Sequence, residues 1–259
     1  MYSRALVPSL LRDIGASVSF LTILPGGRSP MTLRGAIWFW VAGLLVATLD
    51  VSLFVVFFHV LTKMETAVIV VLADGVVTRG MHYDAVADFS DGFFAPLDRN
   101  KRLKAMGDSR LGAFGAMGLI AVVLLRVAAF ASFSTSEMYL FIPLAVASRD
   151  LMAIALYFYP SAKKEGFFYY FLSGDDLSRR SKAVRRFVVI GIFLLSGVAA
   201  FEMEGIWSIV AVVLEASVFF AVMQWSIGSI DGVTGDVVGG GGILAESVAL
   251  VAISLVGLR

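Results

Sequence analysis

No cysteine occurs among the 259 residues, which excludes disulfide bridges, thiolate metal centres and cysteine nucleophiles together. Redox chemistry therefore says nothing about compartment. Charge is scarce as well: 16% of residues are Asp, Glu, Lys or Arg, where a soluble domain carries about 25%. The two signs nearly cancel, 21 basic against 20 acidic, so no bulk field favours nucleic acid and no nucleic-acid partner is expected. What abounds is apolar surface, 59% hydrophobic residues with a mean hydropathy of +0.88, against about 45–50% apolar in soluble proteins. A soluble domain of this length would need a charged skin that this chain lacks. Disordered, fibrous and small secreted classes are excluded. An all-α polytopic membrane bundle remains, read as a single domain over residues 1–259.

A membrane-spanning helix needs about 20 mostly apolar residues. Seven stretches qualify or nearly so: Ala36–Val60, Thr66–Met81, Gly112–Phe133, Met138–Tyr159, Phe187–Phe201, Ile206–Ile227 and Val237–Leu258. Leu6–Leu24 is apolar but interrupted by Pro8, Arg12 and Asp13, and it lacks the pattern of a cleaved signal. An interfacial or half-buried helix is expected there. The basic residues test this parsing. Sixteen of the 21 fall in one alternating set of loops, which includes Arg4, Arg28, Arg99 to Arg110 and the 160–186 segment; Lys63 and Arg259 fall in the other. Arg79, Arg126 and Arg149 lie within spans or at their ends. This bias places the first set in the cytoplasm of a multi-pass protein of the cytoplasmic membrane.

Chemistry concentrates on that side. In Thr78-Arg-Gly-Met-His-Tyr-Asp-Ala-Val-Ala-Asp-Phe-Ser-Asp-Gly92, the residues Asp84, Asp88 and Asp91 stand at i, i+4 and i+7. A helix brings these positions within about 60° of one another. Stacked carboxylates repel unless a cation resolves them. Hard oxygen ligands without cysteine favour Mg²⁺, with Mn²⁺ or Ca²⁺ as alternatives. A solvated helix end accounts for Asp residues more simply, though not for three in register beside His82 and Arg79. His82 lies about 160° from Asp84 on a continuous helix, so either Gly80 breaks the helix or His82 serves another part of the site. His59, near the opposite face, reads as interfacial packing.

A second group, Met106-Gly-Asp-Ser-Arg-Leu-Gly-Ala-Phe-Gly115, precedes a span. Asp108 and Ser109 suit helix capping. Arg110 adds a planar anion-binding fork, Gly112 and Gly115 allow close backbone approach, and the helix N-terminus suits phosphate. The third runs Ser229-Ile-Asp-Gly-Val-Thr-Gly-Asp-Val-Val-Gly-Gly-Gly-Gly242, with Asp231, Thr234, Asp236 and then Glu246 around the glycines. Tight helix contact explains the glycines, while the carboxylates are functional candidates. Arg149 either pairs with an acidic residue such as Asp150 or reaches a phosphate, and Lys163-Lys164-Glu165-Gly166 opens a basic loop. Its Arg179–Arg186 cluster fits anionic lipid headgroups as readily as substrate. Acidic clusters, cationic side chains and glycine-rich helix ends on one side suit metal-assisted phosphoryl transfer. No Walker loop is present.

In this order the motifs resemble the cobalamin synthase family, the adenosylcobinamide-GDP ribazoletransferases. The resemblance rests on Phe20-Leu21-Thr22 with Pro25, on Gly80, His82, Asp84, Ala87, Asp88, Asp91 and Gly92, and on Asp108-Ser109-Arg110 with Gly112 and Gly115. Ser148-Arg149, Glu165-Gly166, Gly232-Val-Thr-Gly-Asp236, Gly239 and Glu246 complete it over nearly the whole chain. Ala85, Lys164, Asp231 and Ile243 depart from the family's usual residues. The resemblance implies transfer of α-ribazole or its 5′-phosphate onto adenosylcobinamide-GDP, with GMP leaving. It implies Mg²⁺ on Asp84, Asp88 and Asp91, catalytic roles for these three and for His82, Asp108 and Arg110, with His82 or one Asp accepting the nucleophile's proton, and charge offset by Arg110, Arg149 and Lys163. Substrate contacts would come from Arg79, Ser109, Arg149, Lys163, Asp231, Thr234, Asp236 and Glu246. Membrane lipid is the expected surround, and a homo-oligomer is compatible with it. Two other readings stand beside this one. A CDP-alcohol phosphotransferase is suggested by Asp88-x-x-Asp91-Gly92-x-x-Ala95, but Pro96 replaces its arginine. An ion-coupled transporter would use Asp50, Asp74, Arg126 and Arg149 as buried relays.

Overall fold

The structure, a computed structural model, describes residues 6–26, 29–165, 167–173 and 177–257. Arg4, Arg28, Gly166 and Arg259 lie outside them. The described residues form twelve α-helices, one 3-10 helix (Gly35–Trp38) leading into the second of them, and no sheet: α1 (Leu6–Leu21), α2 (Phe39–Phe58), α3 (Lys63–Val77), α4 (Met81–Phe93), α5 (Arg99–Ala105), α6 (Ala113–Ser132), α7 (Thr135–Met138), α8 (Phe141–Phe158), α9 (Phe167–Ser173), α10 (Arg179–Glu204), α11 (Ile206–Ile230) and α12 (Gly235–Gly257). By length and composition, six helical segments can cross a membrane: Gly35–Phe58, Ala113–Ser132, Thr135–Phe158, Arg179–Glu204, Ile206–Ile230 and Gly235–Leu255. This is the expected polytopic bundle, with one difference.

The difference is the stretch expected to span from Thr66 to Met81. Its helix, α3, is capped by a reciprocal Thr62–Glu65 box and stops at Val77 after 15 residues. Arg79 and Gly80 then take left-handed conformations, with φ of 56° and 64°. Glycine adopts that geometry without strain, and the backbone restarts as α4 in a new direction. Gly80 thus breaks the helix, and the aspartate motif occupies a separate 13-residue element.

Helices α8 and α12 form the centre. Leu144, Leu151, Ala153, Ala245, Ala249 and Leu250 are fully buried. By contrast α10 exposes Phe187, Leu194, Leu195 and Val198, as a lipid-facing helix does. The glycines opening α12 let three neighbours approach at once. A Cβ on Gly240 would lie 2.7 Å from the Ala85 carbonyl oxygen of α4, one on Gly241 3.0 Å from Met223 of α11, and one on Gly242 within 2.1 Å of Met152 of α8. Close packing is therefore what this run does. Helix α1 is buried along one side and exposed at Leu10 and Leu11, the half-buried helix expected. Its C-terminal end is fastened by Arg79, whose guanidinium donates to the Ser19 and Thr22 carbonyls at 2.7 and 2.6 Å.

Candidate active site

Helix α4 presents Asp84 exposed and Asp88 half-buried, one turn apart as the i, i+4 spacing requires. Both line a polar cavity of about 340 Å³ with Asp108, Ser109 and Arg110 from the α5–α6 connection. Burial pushes the Asp88 carboxyl up to about 7, reinforced by the negative charges of Asp236, Asp84 and Asp91 and opposed by Lys163. Negative charge is thus concentrated here without an equal positive counterpart.

Asp91, the third residue of the register, is engaged elsewhere. Its two carboxylate oxygens accept the backbone N–H groups of Gly112 and Gly115, both at 2.8 Å. It therefore caps α6 from another helix, doing what sequence position suggested for Asp108 or Ser109. A Cβ on either glycine would lie 2.3 Å from an Asp91 oxygen, which explains both glycines without a ligand. Gly112 itself occupies the N-cap position and has no side-chain cap. Among the described residues, no three His, Cys, Asp or Glu side chains are gathered closely enough to hold a metal ion. The expected three-aspartate centre is therefore not assembled; Asp84 and Asp88 are the members that face the cavity. Loss of a cap costs about 0.5–2 kcal/mol, so Asp91→Ala is expected to lower stability by about that much, read from thermal unfolding in detergent. An unchanged midpoint would remove the capping role.

Asp108 binds Arg110 instead of a helix end. The guanidinium donates to both carboxylate oxygens, at 3.0 and 2.7 Å, and these hydrogen bonds hold the Asp108 carboxyl down to about 2. The Arg110 side chain is 87% exposed. Such a surface pair contributes little to stability, leaving the guanidinium able to meet an anionic ligand at the cavity mouth.

A second cavity, also about 340 Å³, opens on the other side of Asp84. Lys163, Thr234 and Asp236 edge it, beneath them lies His82, and the floor is apolar. Two loops are tied together to form this edge. Ala162 donates to Val233 O, and Val233 donates to Pro160 O, both at 2.9 Å. Arg99 clasps both loops by donating to Ile230 O and Ala162 O. His82 is buried, with neither ring nitrogen hydrogen-bonded. Burial, with the Arg149 charge, pushes its imidazole down to about 3, so it stands neutral. His82 and Asp84 lie on different sides of α4 yet border the same cavity, which wraps around the start of the helix.

Four expected substrate contacts lie elsewhere. Arg79 holds α1, as described. Asp231, left-handed at the end of α11, pairs with Arg99 at 2.9 Å. Arg149 and Glu246 are buried at 1% and 0% exposure of their side chains and hydrogen-bond to each other. Glu246 also pairs with Arg126, which reaches Asp74 at 3.3 Å, while Tyr83 donates to the same Asp74 oxygen at 2.8 Å. Two arginines and two carboxylates close this network, which binds α3, α6, α8 and α12 together. In the structure these charges are engaged with one another inside the bundle. In the basic loop, Arg185 and Arg186 donate to the carbonyls of Arg34 and Tyr157, so these two anchor the loop to the bundle.

The sequence that builds this site is similar to those of known proteins. The cobalamin-5-phosphate synthase family model matches residues 13–254. The chain belongs to the cobalamin synthase family. It is 33% identical to the adenosylcobinamide-GDP ribazoletransferase of Chlorobium phaeobacteroides over 88% of its own length and 92% of that protein's. It is 29% identical to the protein of the same name from Roseiflexus sp., over 93% and 89% of the two chains. The Shigella dysenteriae protein of that name is also 29% identical, over 92% and 97%. No solved structure matches significantly.

Within this cobalamin synthase frame, the tertiary structure adds residues that the motifs did not mark. Phe20, Phe39, Met81, Met152, Phe168 and Phe171 line the second cavity. Of these, Phe20 and Met81 stood in quoted motifs; the rest read as ordinary apolar helix residues, because nothing in one apolar residue separates a cavity wall from a core.

Proposed function

We propose that this chain joins α-ribazole or its 5′-phosphate to adenosylcobinamide-GDP with release of GMP. The observation that carries it is the placement of Asp84 and Asp88 against Ser109 and Arg110 in one polar cavity, in a chain of this family. A ribosyl hydroxyl oxygen attacks the phosphorus nearer the cobinamide. The bond from that phosphorus to the oxygen of the GMP moiety breaks, and GMP leaves. Arg110 at the cavity mouth and Lys163 at the edge of its neighbour offset the charge that builds on the phosphoryl oxygens. Asp236, facing Asp84 from the start of α12, takes the proton of the attacking hydroxyl.

Mg²⁺ fits this donor set in the mode that uses one or two carboxylates, completed by substrate phosphate and water. Asp84 and Asp88 would hold it, and the negative charge crowded around Asp88 favours a cation there. It would supply Lewis-acid polarisation of the diphosphate. With 16 basic residues in one set of loops, the site faces the cytoplasm, in a lipid bilayer.

The test is incubation of the purified protein with adenosylcobinamide-GDP, α-ribazole 5′-phosphate and Mg²⁺, with product mass and GMP both measured. Coupled product and equimolar GMP are expected, and chelation of the metal should abolish both. Absence of product with folded protein overturns the transferase reading, and full turnover in chelator overturns the metal.

A further inference from the structure

The two cavities meet at Asp84 but differ in chemistry. One is walled by Asp88, Asp108, Ser109 and Arg110. The other is floored by stacked rings: Phe20 lies 6.1 Å from Phe39 at 15° and 6.5 Å from Phe171 at 8°. Met81 and Met152 complete the apolar part. His82 in its wall is 2% exposed and has no hydrogen bond at either nitrogen. A buried imidazole without a partner costs free energy, and a ligand would supply the missing bond.

We propose that this aromatic cavity holds the base of the ribazole nucleoside, while the polar cavity holds the diphosphate. The assignment rests on the transferase reading above. A ribazole base is a flat, largely apolar ring system with one ring nitrogen free to accept a hydrogen bond, and an imidazole has an N–H to donate. Guanine, with its carbonyl, amino and ring N–H groups, would leave several polar atoms unpaired against this floor. A volume of about 340 Å³ lies at the lower end for small-molecule sites, suited to a nucleoside and too small for a corrinoid macrocycle. Asp84, common to both cavities, then stands where the ribosyl hydroxyl meets the phosphorus.

The test compares wild type, His82→Phe and Phe168→Ala, each as the full chain in detergent. Both variants are expected to raise KM for α-ribazole 5′-phosphate on the order of tenfold, with KM for adenosylcobinamide-GDP within about twofold. Equilibrium binding of α-ribazole alone should weaken by a similar factor, and adenosine should compete poorly. His82→Phe replaces a buried polar group by an apolar one of similar shape, which keeps the fold testable if Phe168→Ala unfolds. If variants shift the KM of adenosylcobinamide-GDP instead, or neither KM, the subsite assignment is wrong while the transferase stands. A lipid retained in the cavity by native mass spectrometry and not displaced by α-ribazole overturns it equally. If wild type makes no product, the transferase reading fails, and the binding comparison still decides the subsite.

Discussion

Asp88→Asn is expected to lower GMP release on the order of 10³-fold, the scale of losing one group that stabilises developing charge, while leaving the protein folded. Asp88 is half-buried between Asp84 on its own helix and Asp236 of α12, and both charges push its carboxyl up. Asparagine relieves that repulsion, so stability should hold or rise. Activity should fall because the amide carries no charge for a cation and cannot replace the carboxylate near the diphosphate. Initial rates at saturating substrate, measured across a Mg²⁺ titration, separate the two effects. Asp91→Asn is the informative companion. Asp91 is occupied by Gly112 and Gly115, so its loss should act on α6 and stability before it acts on metal response. Were Asp88→Asn to keep full turnover with wild-type Mg²⁺ dependence, the two-carboxylate site would be wrong. A metal-dependence defect in Asp91→Asn equal to that of Asp88→Asn would restore the three-aspartate arrangement.

The largest loss of stability is expected from Glu246→Ala. The side chains of Glu246, Arg126 and Arg149 have 0 to 1% exposure, and removing the carboxylate leaves two guanidinium groups sharing Asp74 alone. Breaking a buried ion pair from one side costs about 3–5 kcal/mol, because the remaining charge is desolvated without compensation. Detergent-solubilised Glu246→Ala should therefore melt well below wild type or fail to accumulate in the membrane. Asp231→Ala, whose pairing with Arg99 is largely exposed, should cost no more than about 1 kcal/mol. A Glu246→Ala protein with wild-type stability and weakened substrate binding would return Glu246 to the substrate.

Much of the site was legible in sequence because its chemistry is local. The i, i+4 spacing of Asp84 and Asp88 needs only a helix, and Asp108-Ser109-Arg110 needs only a turn before α6. What misled was the third member of the register. Asp91 continues the same helical face but lies against the start of α6, where the backbone N–H groups of Gly112 and Gly115 take its two oxygens. Glu246 and Arg149 misled for a related reason. Charged residues inside apolar stretches suggest function, yet two arginines and two carboxylates from four helices pair with each other when the helices pack.

Sequence alone determined the bundle, the crowding of basic loops on one side, and the family, since hydropathy, charge position and motif order are properties of the chain as written. It also located the break at Gly80 as one of two alternatives for His82. Tertiary structure placed that break ahead of both His82 and Asp84, separated cavity carboxylates from capping and packing ones, and gathered Phe20, Phe39, Phe168 and Phe171 into one apolar cavity. The physical reason is that a side chain's role depends on which donors, charges and rings reach it from other helices, and those contacts exist only once the helices are packed.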